Sequence, residues 1–284
     1  MSLREKRTVA QVELAPTPRI GLILGSGYCN PFEIMTLADP FPASLRERCA
    51  GIRGFLFDKD GTLLDYEASW GPVNRRAALL AAQGDSAFAG RLLALAGVDL
   101  ATGRARADSV MSAGSAANIA EVWVEGGAPF ETKSLTRALD ELFCAAAADM
   151  VPVTDLSVLF ARLKGRGLKL GIASSDSEAA VWATARVFGI ADHLDFVAGY
   201  DSGHGTKPDP GVLAAFCRAM GLVPSQVAVV GDNTHDVGMG RAGGAGLTIG
   251  VLTGSGTRET LGPSSDVCLP SVCDIEELLG PVAR

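Results

Sequence analysis

No stretch of 18 apolar residues occurs in this chain, so no membrane-spanning helix is expected. No Cys-x-x-Cys pair occurs either. The six cysteines, Cys29, Cys49, Cys144, Cys217, Cys268 and Cys273, do not have zinc-site spacing, and 284 residues need no disulfide staples. Reduced thiols are therefore expected. Residues 1–20 are mixed and charged, without the apolar core of a signal peptide, and a cytoplasmic location is expected. Positive charge is also in short supply. With 25 basic against 32 acidic residues, the net charge is -7, which counts against nucleic-acid binding through Lys and Arg. A small anionic substrate is not excluded, because a local site can be positive on an acidic protein.

Apolar side chains are plentiful, at 48% of the sequence. That is enough for a substantial core, and the length predicts one large domain carrying an insertion or a second small domain. Oligomeric state is not legible. Apolar segments at 52–57, 168–173, 196–200, 227–231 and 247–252, with a short one around 267–269, read as strands. Between them lie helical segments: 155–164, with Leu156, Leu159, Phe160 and Leu163 on one face and Gly165 placed to end it; 177–188, closed by Gly189; and 210–220, closed by Gly221. Alternation of this kind predicts an α/β fold, a parallel sheet covered on both sides. Residues 70–150 break the rhythm. They are rich in Ala and Leu, contain no convincing strand, and read as helices over 72–83, 85–96, 115–124 and 134–149. Placed between the first two strands, they would sit beside the strand ends, where ligands of open α/β sheets bind.

The run Ile20-Gly21-Leu22-Ile23-Leu24-Gly25-Ser26-Gly27 reads as a strand and glycine loop. With Pro18-Arg19 it is similar to the opening phosphate loop of purine nucleoside phosphorylases, but over only about a dozen residues. An added strand or an arm packing on the main domain is the expected reading.

The densest chemistry lies in Phe55-Leu56-Phe57-Asp58-Lys59-Asp60-Gly61-Thr62-Leu63, where an apolar strand delivers two carboxylates into a glycine turn. A calcium loop also begins Asp-x-Asp, but needs glycine at its sixth and glutamate at its twelfth position. Leu63 and Ser69 stand there instead, which leaves a solvated turn or a reactive pair. Three other strand ends carry polar residues. Ser174-Ser175-Asp176 precedes a helix, where a hydroxyl and backbone N–H groups can hold a phosphoryl oxygen or simply cap the helix. Lys207 stands in Gly205-Thr206-Lys207-Pro208-Asp209-Pro210, whose prolines preset the chain at a helix start. Gly231-Asp232-Asn233-Thr234-His235-Asp236 brings two more carboxylates to a strand end.

Together and in this order, over about residues 52–280, these four segments resemble the haloacid dehalogenase superfamily of phosphohydrolases. Within it, the likeness is to phosphoglycolate phosphatase-type members with a helical cap. The resemblance implies a Rossmann-like three-layer sandwich with an inserted α-helical cap domain: a catalytic core of 51–69 and 151–284, a cap of 70–150, and an N-terminal extension of 1–50. It departs at Ser175, where many relatives carry Asn.

The same resemblance implies the roles. Asp58 is the nucleophile that forms an aspartyl phosphate. Asp60 protonates the leaving oxygen and then deprotonates water. Ser174 and Lys207 neutralise the phosphoryl group. Four converging carboxylates call for a cation, and Mg²⁺ is implied, held by Asp58, the Asp60 carbonyl and Asp232, with Asp236 orienting Lys207 or a water. Gly61, Thr62 and Ser175 are further candidate substrate contacts. The implied activity is Mg²⁺-dependent hydrolysis of a small phosphorylated metabolite, phosphoglycolate being the family-weighted choice. Phosphomutase or phosphotransferase chemistry on the same scaffold is the alternative, and a non-catalytic interaction protein a third reading. Trp70 and Trp123 read as cap packing, and His235, inside the fourth motif, as a loop filler, with approach to substrate as the alternative. Arg75, Arg76, Arg104 and Arg106 read as exposed helix residues or cap-borne cations. Residues 64–71 and 150–154 are the expected hinges.

Overall fold

A computed structural model describes residues 41–281; the 20–27 strand and glycine loop lies outside them. Six parallel strands form one sheet in the order β3-β2-β1-β4-β5-β6. They are β1 (Gly54–Phe57), β2 (Lys169–Ala173), β3 (Phe196–Ala198), β4 (Val227–Gly231), β5 (Leu247–Val251) and β6 (Val267–Leu269). All six lie where the apolar segments predict them, trimmed by a residue or two at some ends. The chain runs outward from β1 to β2 and β3, then crosses back to place β4 on the other side of β1. The order reverses between β1 and β4, and a crevice opens at such a switch beyond the strands' C-terminal ends.

Alternating side chains divide the core into two layers, as strand geometry requires. Phe55 and Phe57 face one side with Leu159 and Phe160; Leu56 faces the other with Leu213 and Phe216. The Phe57 and Phe160 rings lie 5.4 Å apart. Both faces of β1 and β4 are buried throughout, which explains why they read as continuous apolar runs rather than alternating ones.

Twelve α-helices complete the described residues. Those of the sheet layers are α1 (Ala43–Ala50), α7 (Leu156–Gly165), α8 (Glu178–Val187), α9 (Gly211–Met220), α10 (Thr234–Ala242), α11 (Arg258–Leu261) and α12 (Ile275–Leu279). The helix expected to stop before Gly165 includes it; the left-handed turn comes at Gly167, with φ 77. Gly221 caps α9 in the left-handed conformation, as its position predicts. The end of the expected N-terminal extension is α1. It buries Leu45 and Cys49, and Arg48 binds the Gly246 carbonyl and Asp266. The described residues belong to one compact unit.

The insertion between β1 and β2 is helical: α2 (Tyr66–Ala81), α3 (Ser86–Leu95), α4 (Val110–Ala113), α5 (Ala116–Glu125) and α6 (Thr132–Ala145), which tightens into a 3₁₀ turn over Ala146–Asp149. Its first helix starts earlier than Pro72 suggests. Asp65 accepts a hydrogen bond from the Ala68 N–H at 2.9 Å and caps it, leaving Pro72 in the interior. Trp123 is fully buried, and its indole N–H donates to the Leu92 carbonyl at 2.8 Å. Cap packing is therefore its role, and truncating such a residue to alanine costs about 3–5 kcal/mol. The chain enters and leaves the insertion side by side. Leu64 bridges Pro152 in antiparallel fashion, flanked by bonds from Asp65 N–H to Val151 and from Val153 N–H to Leu63. Of the segment expected as one hinge, 66–71 is helix.

No helix among the described residues is long and apolar enough to cross a membrane. Cys49, Cys144, Cys217, Cys268 and Cys273 are free thiols.

Candidate active site

Three strand ends and one loop converge on the crevice. Asp58 follows β1, its N–H held by the Val230 carbonyl at 2.8 Å. Ser174 follows β2, its N–H held by the Ala198 carbonyl at 2.9 Å. Asp232 follows β4, and Asp236 lies in the first turn of α10, where its carboxylate accepts the Asn233 N–H at 3.1 Å in a capping box. Lys207 arrives from the loop before α9, preceding a cis Pro208. Its ammonium lies 2.6 Å from Asp58 Oδ1, 2.6 Å from Asp236 Oδ1 and 3.2 Å from the Ala173 carbonyl.

Asp232 faces Asp58 from the other side of the switch. Its Oδ2 accepts the Ser255 N–H at 2.8 Å and the Ser255 hydroxyl at 3.3 Å. Glycine is required around it. Gly61 has φ 83, and a Cβ there would stand 2.6 Å from the Asp232 carboxyl carbon; a Cβ at Gly254 would collide with the same carboxylate. Gly61 accepts the Thr253 hydroxyl at 2.6 Å on its carbonyl, which ties the first turn to the loop after β5. Neither Gly61 nor Thr62 lines the cleft, although both are expected as substrate contacts. Thr62 is fully buried beneath it. Ser175 does line the cleft, and its hydroxyl reaches the Ala113 carbonyl of the insertion at 3.0 Å.

Asp60 is held on both oxygens. Oδ1 accepts the Trp70 indole N–H at 2.6 Å and Lys59 Nζ at 2.7 Å, and Oδ2 lies 2.6 Å from Lys59. Lys59 also pairs with Asp176 at 2.9 Å. Trp70, expected as cap packing, packs edge-on against Phe143 and touches the reactive turn as well. Lys59, Asp176 and Ser255 are site residues that sequence reasoning missed.

The cleft gathers five carboxyl groups, those of Asp58, Asp60, Asp176, Asp232 and Asp236, against only two ammoniums, Lys59 and Lys207. Burial raises the Asp58 carboxyl to about 7; Lys207 opposes this, and Asp236 and Asp60 add to it. Burial and the Asp58 and Asp236 charges hold Asp232 well above the usual carboxylate range. Burial would lower both lysines, but their acidic partners outweigh it and raise them, so both are ammoniums. Carboxylate oxygens of Asp58, Asp232 and Asp236 lie within 4.8 Å of one another, all buried. An all-oxygen donor set in which carboxyls outnumber ammoniums fits a hard divalent cation such as Mg²⁺.

The insertion roofs the cleft with Tyr66, Trp70, Asn74, Met111 and Ile119. A second cavity of about 310 Å³ continues outward between α4, α5 and the loop carrying Lys207. His235, expected as a loop filler, lines both spaces. Arg75, Arg76, Arg104 and Arg106 line neither; Arg76 pairs with Asp149 and Arg104 with Glu67 at the surface.

The arrangement is matched by known proteins. A family model described as haloacid dehalogenase-like hydrolase matches residues 52–244. The phosphoglycolate phosphatase of Chromobacterium violaceum is 30% identical over 117 residues, 41% of this chain and 51% of that protein. The tyrosine-protein kinase PtkA of Mycobacterium tuberculosis is 32% identical over 122 residues, 42% of this chain and 41% of that protein. The chain thus spans about half the length, or less, of these curated relatives. Among solved structures, CbbY from Rhodobacter sphaeroides in complex with phosphate superposes with a TM-score of 0.59 at 23% identity, covering 78% of this chain and 94% of that one. At that identity the likeness speaks for the fold.

Proposed function

The chain belongs to the haloacid dehalogenase-like hydrolases, and from that premise we propose that it is a Mg²⁺-dependent phosphatase acting on a small phosphorylated metabolite in the cytoplasm. The observation that carries the reading is the buried triad in which Lys207 stands 2.6 Å from both Asp58 and Asp236 at the mouth of the switch crevice. A lysine so placed favours the ionised Asp58 carboxylate against the burial that raises it, and offers positive charge to a phosphoryl group beside it.

Asp58 attacks phosphorus, and its Oδ–P bond forms as the P–O bond to the leaving alcohol breaks. A proton on Asp60 passes to the departing oxygen; Asp60 then takes a proton from the water that cleaves the aspartyl phosphate. Ser174 and Lys207 bind the phosphoryl oxygens throughout. Asp58, Asp232 and the Asp60 carbonyl would hold Mg²⁺, with Asp236 fixing Lys207. When bound, the ion supplies charge neutralisation for the transferring group and for the crowded carboxylates. The core of 51–69 and 151–284 does the chemistry, and the 70–150 cap meets the leaving group. Phosphoglycolate, the ester named for one relative, is the first candidate substrate.

Purified protein should release phosphate from a phosphomonoester in the presence of Mg²⁺, and Asp58→Asn should release none. Turnover that survives in Asp58→Asn sinks the reading. The kinase among the relatives favours one alternative, transfer of the phosphoryl group to a hydroxyl acceptor. Phosphorylated acceptor accumulating without free phosphate would establish it.

A further inference from the structure

The Lys59 side chain is only 2% exposed, yet the two half-reactions assign it nothing. An ammonium in such a place is strongly disfavoured unless it is paired. Its partners are Asp60, at 2.6 Å and 2.7 Å on its two oxygens, and Asp176 at 2.9 Å. The Trp70 ring lies 5.3 Å from the ammonium, and the same indole donates to Asp60. Asp176 is anchored in turn: its N–H donates to the Ser174 hydroxyl at 3.1 Å, and its carbonyl accepts the Tyr200 N–H at 3.0 Å. The turn that carries Ser174 therefore also carries the counter-charge that fixes Lys59.

Resting on the phosphatase reading, we infer that Lys59 is a positioning residue for Asp60, aimed by Asp176. The pair joins the two segments that must act together, the proton donor of the first strand end and the phosphoryl-binding turn of the second. It acts on one step, the transfer of the Asp60 proton to the leaving oxygen as the P–O bond breaks and the Asp58–P bond forms. An alkyl alcohol cannot leave as a bare alkoxide and depends on that proton. A nitrophenolate leaves without it.

This asymmetry supplies the test. Lys59→Met, Asp176→Asn and Trp70→Phe are assayed with Mg²⁺ on the alkyl esters phosphoglycolate and glycerol phosphate and on p-nitrophenyl phosphate. The quantity compared is kcat/KM, which reports transition-state stabilisation from free enzyme and substrate. General acid catalysis contributes about 10²–10⁴-fold. Lys59→Met is therefore expected to lose about 100-fold on the alkyl esters and less than about 10-fold on the aryl ester. Asp176→Asn and Trp70→Phe should show the same pattern to a smaller degree. A merely structural role would reduce both ester classes alike. Equal losses, or no loss, overturn the inference while leaving the phosphatase reading intact. A wild type inactive on every ester overturns the reading and the inference with it. Circular dichroism monitors folding. Should Lys59→Met not fold, Asp176→Asn decides, since it keeps Lys59 beside Asp60 and removes the charge that aims it.

Discussion

The Lys207 ammonium lies 2.6 Å from the Asp58 carboxylate, with both side chains more than nine-tenths buried. Two residues 149 positions apart in sequence thus form one charge pair, closed on its far side by Asp236 at the same distance. Lys207→Met should leave Asp58 and Asp236 facing each other without a cation and the phosphoryl group without its charged donor. Removing one preorganised donor of this type costs about 10²–10³ in kcat. Steady-state phosphate release should fall by at least about 100-fold; a loss under about 5-fold would contradict the role given to Lys207.

Five carboxyls against two ammoniums in the cleft make the cation requirement testable apart from chemistry. Chelation should abolish turnover, and Mg²⁺ should restore it. Asp232→Asn removes one charge while keeping the side chain's size, and it should raise the Mg²⁺ concentration needed for half-maximal activity by about 10-fold or more, about 1.4 kcal/mol of ion affinity. Isothermal titration of Mg²⁺ against wild type and variant measures the same change without turnover. Equal Mg²⁺ affinity in the two proteins would remove Asp232 from the ion's ligands.

Away from the cleft, Asp266 accepts hydrogen bonds from Arg48 at 2.8 Å and from the Thr248 N–H and hydroxyl at 2.8 Å and 2.9 Å. It thereby ties α1 to the β5–β6 edge. Burial pushes its carboxyl up, but the Arg48 and Thr248 donors outweigh that and hold it below the usual carboxylate range. A lowered folded value means that the stabilisation is present above the unfolded carboxylate pKa of about 3.9 and is lost as pH falls through the folded value. Asp266→Asn should therefore destabilise the protein by about 2 kcal/mol at pH 7. The difference in melting temperature from wild type should shrink below about pH 4. A gap that stays constant to pH 3 would refute the assignment.

Most parts of this site legible in sequence sit where an apolar strand stops. Asp58, Ser174 and Asp232 announce themselves because a continuous apolar run delivers a polar side chain, and Lys207 because prolines fix its loop. Lys59 was hidden by the same logic, since a charge beside two aspartates in a turn reads as solvated until Asp176, more than a hundred residues away, closes the pair. Trp70 packs in the cap as expected, and its second contact, to Asp60, has a local reason. Pro72 suggested a helix start, whereas Asp65 caps one turn and more upstream and swings the indole over Asp60. Ser255 carries no local signal at all; its partnership with Asp232 exists only because β5 lies next to β4. Helix α4, four residues long, is too short for periodicity to register.

Where the chain leaves the sheet at Leu64 and returns at Pro152, the two passes bond to each other. Paired strands stand about 5 Å apart, so the whole excursion above the cleft hangs from a single stem. No strand of the sheet depends on it for a hydrogen-bonding neighbour. Outside the contacts that Trp70 and Ala113 make with the floor, the roof can therefore change in sequence and in length without unpairing any strand of the sheet.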